Sequence, residues 1–173
     1  MNNLYILIGA PGCGKSTWAK EKKALGWSVV SRDEIRYAYL KNDEAYFSHE
    51  KEVFDTFVNT LAASVLSNKN TVADATNLNE SSRTKLLKAL AARLSPSTYN
   101  IIFIYFDTSY ATCFRRNALR QGRNHVPDKE FSDMFAAQSF PSYNEIRLPN
   151  VKGVEVIHEQ QKFDKNQILC YTI

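Results

Sequence analysis

The feature that most constrains this chain is a glycine-rich segment near its beginning, placed between an apolar run at residues 4–8 and a stretch that can start a helix. The segment fits the pattern G-x-x-x-x-G-K-[ST]. After a strand and before a helix, such glycines turn backbone N–H groups towards phosphates. The segment therefore predicts a nucleoside triphosphate site on a fold of alternating strands and helices. Its residues are Gly9, Ala10, Pro11, Gly12, Cys13, Gly14, Lys15, Ser16 and Thr17.

Two side chains of this loop have specific expected roles. We expect Lys15 to reach the β and γ phosphates of ATP, and the Ser16 hydroxyl to be a ligand of Mg²⁺. The loop does not indicate which molecule receives the phosphate.

Composition limits the class of protein. A chain of 173 residues, 44% of them hydrophobic, predicts one domain over residues 1–173.

Cys13, Cys113 and Cys170 form no C-x-x-C pair, which favours reduced thiols in a cytoplasmic protein. No apolar run approaches membrane-spanning length and the first strand begins within three residues, so we expect neither a membrane anchor nor a signal peptide. A net charge of +4 is compatible with a polyanionic partner without requiring one.

The hydrophobic pattern predicts an α/β fold, with a parallel five-stranded sheet and helices on both faces. We predict strands at residues 3–8, 28–31, 71–74, 101–106 and 154–157, with 168–173 as a candidate edge strand. A long helix is predicted at 43–66, and another is predicted from an Asn79 cap to about residue 94. The helix after the fourth strand has Asp107 or Thr108 as its candidate cap. Ligands of such sheets bind at the carboxyl ends of the strands.

The segment S-R-D-E-I-R follows the second predicted strand. Ser31 and Glu34 can form a capping box, which explains neither Asp33 nor Arg36. In a phosphotransferase, a carboxylate at Asp33 could take the proton of an acceptor hydroxyl, and Arg36 could hold a phosphate of the acceptor. A purely structural role and this functional role are both open for the pair.

Asp74 ends the third predicted strand. It can orient Mg²⁺ through water or hold the acceptor side of the cleft, and the alternative is a turn that satisfies its own backbone. We include Asp74 and Thr76 among the candidate substrate-binding residues.

Four arginines lie within a segment of residues 115–127, which we call the Arg-rich segment. Such runs are commonly solvated surface. Because this one follows the fourth strand, it can also form a lid that neutralises charge during phosphoryl transfer. Arg120 and Arg123, beside Gly122, are the candidates for that role.

The motifs together resemble the kinase domain of phage-type polynucleotide 5′-kinases. The resemblance covers about residues 3–140 and rests on G-A-P-G-C-G-K-S-T-W, S-R-D-E-I-R, D-A-T-N-L-N-E-S-S-R, and F-D-T followed by R-R-N-A-L-R-Q-G-R-N-H-V-P. It implies a P-loop fold, ATP as donor, Mg²⁺, and an RNA or DNA 5′-hydroxyl end as acceptor.

Roles for single residues follow from the same resemblance. It implies that Asp33 is the general base and that Arg36 contacts the phosphate next to the acceptor nucleoside. It assigns the lid arginine to Arg120, with Arg123 as the competitor because Gln121 is an extra residue before Gly122. It matches the family's strand-three aspartate with Asp74.

Relatives often carry a 3′-phosphatase domain with a D-x-D-x-T motif, which this sequence lacks. The resemblance therefore implies a kinase-only chain in the cytoplasm (of the host cell, if phage-encoded), with phosphatase or ligase activity on a separate protein. Two other functions stay open. One is a kinase of a small-molecule hydroxyl, and the other is a nucleotide-dependent switch. A GTPase switch would carry the motif N-K-x-D for guanine, whereas residues 68–71 read N-K-N-T.

Overall fold

The computed structural model describes residues 2–41, 44–159 and 170–171, the last two by their backbone. Six strands form one sheet in the order β2-β3-β1-β4-β5-β6. The strands are β1 (Asn2–Ile8), β2 (Ser28–Ser31), β3 (Thr71–Asp74), β4 (Tyr99–Asp107), β5 (Val151–His158) and β6 (Cys170–Tyr171).

Five of the strands are mutually parallel, as the sequence predicted. β1 lies between β3 and β4, which explains why residues 4–8 form a continuous apolar run buried from both faces. β6 pairs antiparallel with the outer edge of β5. The rest of the candidate edge strand, at 168–169 and 172–173, lies outside the described residues.

Helices cover both faces of the sheet. They are α1 (Lys15–Ala24), α2 (Arg32–Tyr39), α3 (Glu50–Leu66), α4 (Glu80–Ala91), α5 (Tyr110–Ala118), α6 (Asp128–Ala136) and α7 (Tyr143–Ile146). On one face Phe57 and Leu61 of α3 pack with Leu90 of α4. On the other face Cys113 of α5 packs with Phe131 of α6. Within the described residues, no helix is long and apolar enough to cross a lipid bilayer.

The long helix is shorter than the pattern predicted. α3 begins at Glu50, and residues 46–49 form turns before it. The predicted helix was therefore wrong for residues 44–49, and residues 42–43 lie outside the described residues. The physical reason is that Tyr46 and Phe47 turn their rings towards the Arg36 guanidinium rather than continue the apolar face of α3.

Local capping was predicted in one case and missed in another. Asn79 caps α4 through a capping box with Ser82, so this prediction is confirmed. The cap of α5 is Ser109, which accepts from the Thr112 N–H at 3.3 Å, and neither Asp107 nor Thr108 has that role. Thr108 instead donates its hydroxyl to the carbonyl of Cys13 at 3.0 Å.

A buried ion pair ties α4 to α7. The Arg83 side chain is fully buried, and its Nε donates to Glu145 Oε1 at 2.7 Å. Its Nη1 donates to the carbonyls of Asn77 and Ser139. One guanidinium thus holds the loop after β3 and the segment after α6, both of which border the phosphate-binding loop.

Removing one partner of this pair should destabilise the protein strongly, because the other charge would stay buried without compensation. We expect Arg83→Met to lower the free energy of unfolding by about 3–5 kcal/mol. The double substitution Arg83→Met with Glu145→Gln should cost less. Chemical denaturation measures both.

The matched control is Lys129→Ala, which breaks an exposed pair with Asp133. It should cost less than about 1 kcal/mol. Equal costs for the two single substitutions would contradict the assigned role of Arg83.

Candidate active site

The sheet brings three polar segments to one edge. β2, β3 and β1 run parallel, so their carboxyl ends lie side by side, and Ser31 is the register partner of Asp74. The glycine-rich loop follows β1, Asp33 lies in the first turn of α2, and Thr76 lies just after β3. Ligands of open parallel sheets bind at this edge.

The loop requires glycine at two positions with left-handed backbone. Gly12 has φ 83° and Gly14 has φ 112°. A Cβ at Gly12 would also lie 2.6 Å from the carbonyl oxygen of Cys113. Another residue type would therefore both strain the loop and push it away from α5.

Hydrogen bonds from distant segments fix the loop. The Gly9 N–H donates to the Thr76 carbonyl at 3.1 Å, and the Ala10 N–H donates to Gln138 Oε1 at 2.8 Å. Gln138 Nε2 in turn donates to the Phe106 carbonyl at 3.0 Å. With the Thr108 bond to Cys13, the loop is held by residues just after β3 and β4 and by the segment after α6.

The loop has the properties of an anion site. Lys15 is buried, and its Nζ donates to the carbonyls of Gly9 and Ala10 at 2.7 and 2.9 Å, so its charge lies over the loop. No side chain caps α1 at Gly14, and its first turn carries no acidic residue. The positive end of α1 and its first N–H groups are thus left for a negatively charged ligand, which fits the phosphates of ATP.

Ser16 and Asp74 meet beside this loop. The Ser16 hydroxyl lies close enough to the Asp74 carboxylate to act against the raised pKa of that group. Burial raises the pKa of Asp74, which the charge of Lys15 opposes and that of Asp33 reinforces. A half-buried carboxylate next to a hydroxyl is a donor set that fits Mg²⁺, completed by phosphate oxygens and water. Among the described residues, no group of three or more His, Cys, Asp or Glu side chains offers an alternative metal site.

Asp33 is exposed and is held from two sides. Arg36 Nη1 forms an ion pair with Asp33 Oδ1, and the Tyr46 hydroxyl donates to the same oxygen at 2.9 Å. Burial, together with the charge of Asp33, raises the pKa of Tyr46, so its hydroxyl stays protonated and remains a donor. Oδ2 of Asp33 takes part in neither bond.

Glu50 is a residue that the sequence reasoning missed. Its two oxygens accept from Arg36 Nε and Arg32 Nη2, both at 2.7 Å. Burial pushes the pKa of Glu50 upwards, but the bonds from these arginines outweigh it and leave the pKa below its usual value. Glu50 thereby fixes Arg36, which is buried, so that it can meet Asp33.

Thr76 borders a small polar cavity. The cavity has a volume of about 130 Å³ and lies between α2, α3 and the loop after β3. Arg32, Asn79 and Ser82 also line it, and Arg32 Nε is buried without a hydrogen-bond partner. Space and polar groups are therefore present on the Asp33 side of the cleft.

The candidate lid arginines lie in the Arg-rich segment, away from the loop contacts described above. Arg120 Nη1 reaches the Asn124 carbonyl at 3.5 Å, and Arg123 Nη2 donates to the Lys41 carbonyl at 3.2 Å. The Tyr37 hydroxyl donates to Asn124 Oδ1 at 2.8 Å. The segment therefore contacts α2 and the residue Lys41 after it.

Arg116 contacts the loop, which the sequence reasoning did not predict. Its Nη1 donates to the Gly12 carbonyl at 3.1 Å. No local sequence pattern signals this contact or that of Gln138, because their partners in the loop are 104 and 128 positions away.

A family model described as an AAA domain matches residues 4–141, which is most of the chain. Solved structures with the same fold include a putative kinase from Chloroflexus aurantiacus (15% identity, 91% of this chain and 88% of that chain covered, TM-score 0.70). They also include a sugar kinase from a Janibacter species (13% identity, 91% and 86% covered, TM-score 0.62). A chain of the Pnkp1/Rnl/Hen1 RNA repair complex matches with 23% identity over 79% of this chain and TM-score 0.66. This match spans 43% of that chain's length.

The partly buried carboxylate of Asp74 should lower the stability of the folded protein at neutral pH. Because its pKa is raised in the folded state, the folded protein binds this proton more readily than the unfolded chain, and stability increases as pH falls through the folded pKa. We expect Asp74→Asn to raise the unfolding temperature at pH 7 by about 1–4 °C without Mg²⁺. The difference should shrink in acid, as calorimetry across pH would measure. A lower unfolding temperature at pH 7 would contradict this account.

Gln138 should matter for ATP affinity although it lies outside the motif. Gln138→Ala leaves the Ala10 N–H without its acceptor, so we expect ATP binding to weaken about tenfold in a titration. The control is Asn59→Ala, an exposed amide whose partner is Arg93. Equal affinity of the two variants would mean that Gln138 does not hold the loop.

Proposed function

This chain belongs to the AAA-domain family, and we propose that within it the chain acts as a Mg²⁺-dependent polynucleotide 5′-hydroxyl kinase that uses ATP. The observation that carries the proposal is the position of Asp33. An exposed carboxylate, held by Arg36 and Tyr46, lies at the same sheet edge as a phosphate-binding loop and a Ser16–Asp74 pair. A switch needs the loop but has no need of such a base.

The donor half of the reaction uses the loop. ATP phosphates bind the first N–H groups of α1, and Lys15 leaves its two carbonyl partners to reach the β and γ phosphates. Ser16 and Asp74 would hold Mg²⁺, which neutralises charge on the phosphates. Arg120 or Arg123 supplies further positive charge when the Arg-rich segment moves over the donor, and Arg116 is near enough to the loop to share this role.

The acceptor half uses Asp33. Its Oδ2 takes the proton of the 5′-hydroxyl as that oxygen attacks the γ phosphorus, and ADP leaves. Tyr46 and Arg36 hold Oδ1, so the carboxylate keeps one orientation. Within the described residues, Arg36 Nη2 takes part in none of the contacts that hold the guanidinium and could meet an acceptor phosphate. Thr76 and Arg32 would border the rest of the acceptor.

Two observations favour a nucleic acid end as the acceptor. The Arg-rich segment bridges to α2 beside Asp33, where a phosphate backbone would lie. In addition, the RNA repair chains match with 23% and 24% identity, whereas the sugar kinase matches with 13%. A small-molecule hydroxyl is the second candidate, favoured by the likeness to that sugar kinase and to a gluconokinase from Sinorhizobium meliloti.

The proposal extends to partners. A separate phosphatase would supply the 3′ chemistry, and a ligase would consume the 5′-phosphate end. The solved RNA repair complex, which combines Pnkp1 with Rnl and Hen1, is an example of such an assembly. We propose that the protein works in the cytoplasm.

The test is transfer of labelled γ-phosphate to 5′-hydroxyl RNA and DNA oligomers, beside a panel of sugars and other small alcohols. We expect transfer to the oligomers, and we expect Asp33→Asn to lower kcat at least about 100-fold while ATP affinity changes little. The matched control is Glu34→Gln, the exposed neighbouring acid on α2, which should stay within about threefold.

Three outcomes would contradict the proposal. Transfer to a small alcohol alone would favour the second candidate. Slow ATP hydrolysis without any acceptor would favour a switch. Near-normal transfer by Asp33→Asn would remove the assigned base.

A further inference from the structure

Three aromatic side chains form a wall beside Asp33. Tyr37 lies on α2, and Tyr46 and Phe47 lie in the turns before α3. The Tyr37 and Tyr46 rings meet edge to face at 6.2 Å between centroids, and Tyr46 and Phe47 do so at 4.8 Å. Tyr46 and Tyr37 each use their hydroxyl, on Asp33 and Asn124 respectively. Phe47 has no polar group that solvent could hydrate, and yet 67% of its surface is exposed.

The exposure of Phe47 is not explained by packing. The residues that form the buried face of α3 begin at Val53, and Phe47 is not part of either core cluster. Instead, the Arg36 guanidinium lies 5.5 Å from the centre of the Phe47 ring and 4.6 Å from that of Tyr46. The ring is therefore oriented by the same arginine that holds Asp33, with much of its surface left to solvent.

The surroundings of the ring favour a flat, negatively charged partner. Arg36 lies against the ring, and the Arg-rich segment reaches α2 through Asn124 and reaches Lys41, just after α2, through Arg123. Aromatic side chains next to positive charge are the combination by which proteins bind single-stranded nucleic acid, because every base has a flat π face to stack on. A sugar has no flat π face, so stacking on the ring favours a base over a sugar.

We propose that Phe47 stacks on the base of the 5′-terminal nucleoside and so places its 5′-hydroxyl at Asp33. The inference rests on the proposed function and adds the residue that distinguishes a nucleotide end from a sugar. Because stacking does not read base edges, it predicts tolerance of all four bases.

The first experiment compares two oligomers that differ only in their 5′-terminal residue, one with a base and one abasic. Wild-type protein should show a KM about tenfold lower for the oligomer with the base. Phe47→Ala should raise the KM for that oligomer about tenfold, leave kcat and the KM for ATP nearly unchanged, and no longer distinguish the two oligomers. Leu66→Ala, which removes a side chain of similar exposure at the end of α3, is the control and should behave as wild type.

The second experiment needs no activity. In the Phe47→Trp variant, 5′-hydroxyl oligomer should quench fluorescence beyond the change in wild-type protein, which carries Trp18 and Trp27, and the abasic oligomer should not. This variant should also retain the low KM, since tryptophan stacks at least as well as phenylalanine.

The outcomes separate the two proposals. Transfer to oligomers with no dependence on Phe47 or on the terminal base would overturn the stacking contact and leave the kinase proposal standing. Base-dependent quenching without transfer would support the contact and contradict the kinase. Neither transfer nor quenching would overturn both.

Discussion

The parallel pairing of β2 with β3 and of β3 with β1 is the constraint on which the site depends. It places the ends of three strands at one edge, so that the loop after β1, Asp74 and Asp33 come together although 66 residues of sequence separate Ile8 from Asp74. The strand order also makes β2 the outermost strand on one side of the sheet. The helix α2 and the turns before α3 therefore lie on the outer side of the cleft. Lys15 of the loop and Asp33 of α2 both lie close enough to Asp74 to change its pKa.

Charge is arranged around this edge with a cost in stability. Burial raises the pKa of Asp74 in the folded protein, and the negative charge of Asp33 reinforces this. Lys15 offsets part of this cost. Near Asp33, Glu50 pairs with both Arg32 and Arg36 and offsets part of their charge, so that Arg36 can be buried and still pair with Asp33. A bound divalent cation would offset the unfavourable burial of the Asp74 charge. Such a cost in the absence of ligand is typical of ligand-binding sites.

The sequence indicated the parts of the fold that local patterns determine. The five parallel strands and the Asn79 cap depend on alternation, apolar runs and side chains within a few positions of each other. The start of α3 was misjudged because Tyr46 and Phe47, inside the predicted range, contact Arg36 of another helix instead of joining α3. Glu50, Gln138 and Arg116 were missed for a related reason, since each acts on a residue at least 14 positions away. Such contacts depend on the tertiary structure, which no window of sequence contains.

The central claim is that Asp33 faces the oxygen that is phosphorylated. A crystal structure with a non-hydrolysable ATP analogue, Mg²⁺ and a 5′-hydroxyl oligomer would measure this directly. The account predicts that Asp33 Oδ2 lies about 2.6–3.2 Å from the 5′ oxygen, on the side opposite the leaving group of the γ phosphate. An oligomer end bound elsewhere, or a 5′ oxygen that contacts no carboxylate, would contradict it.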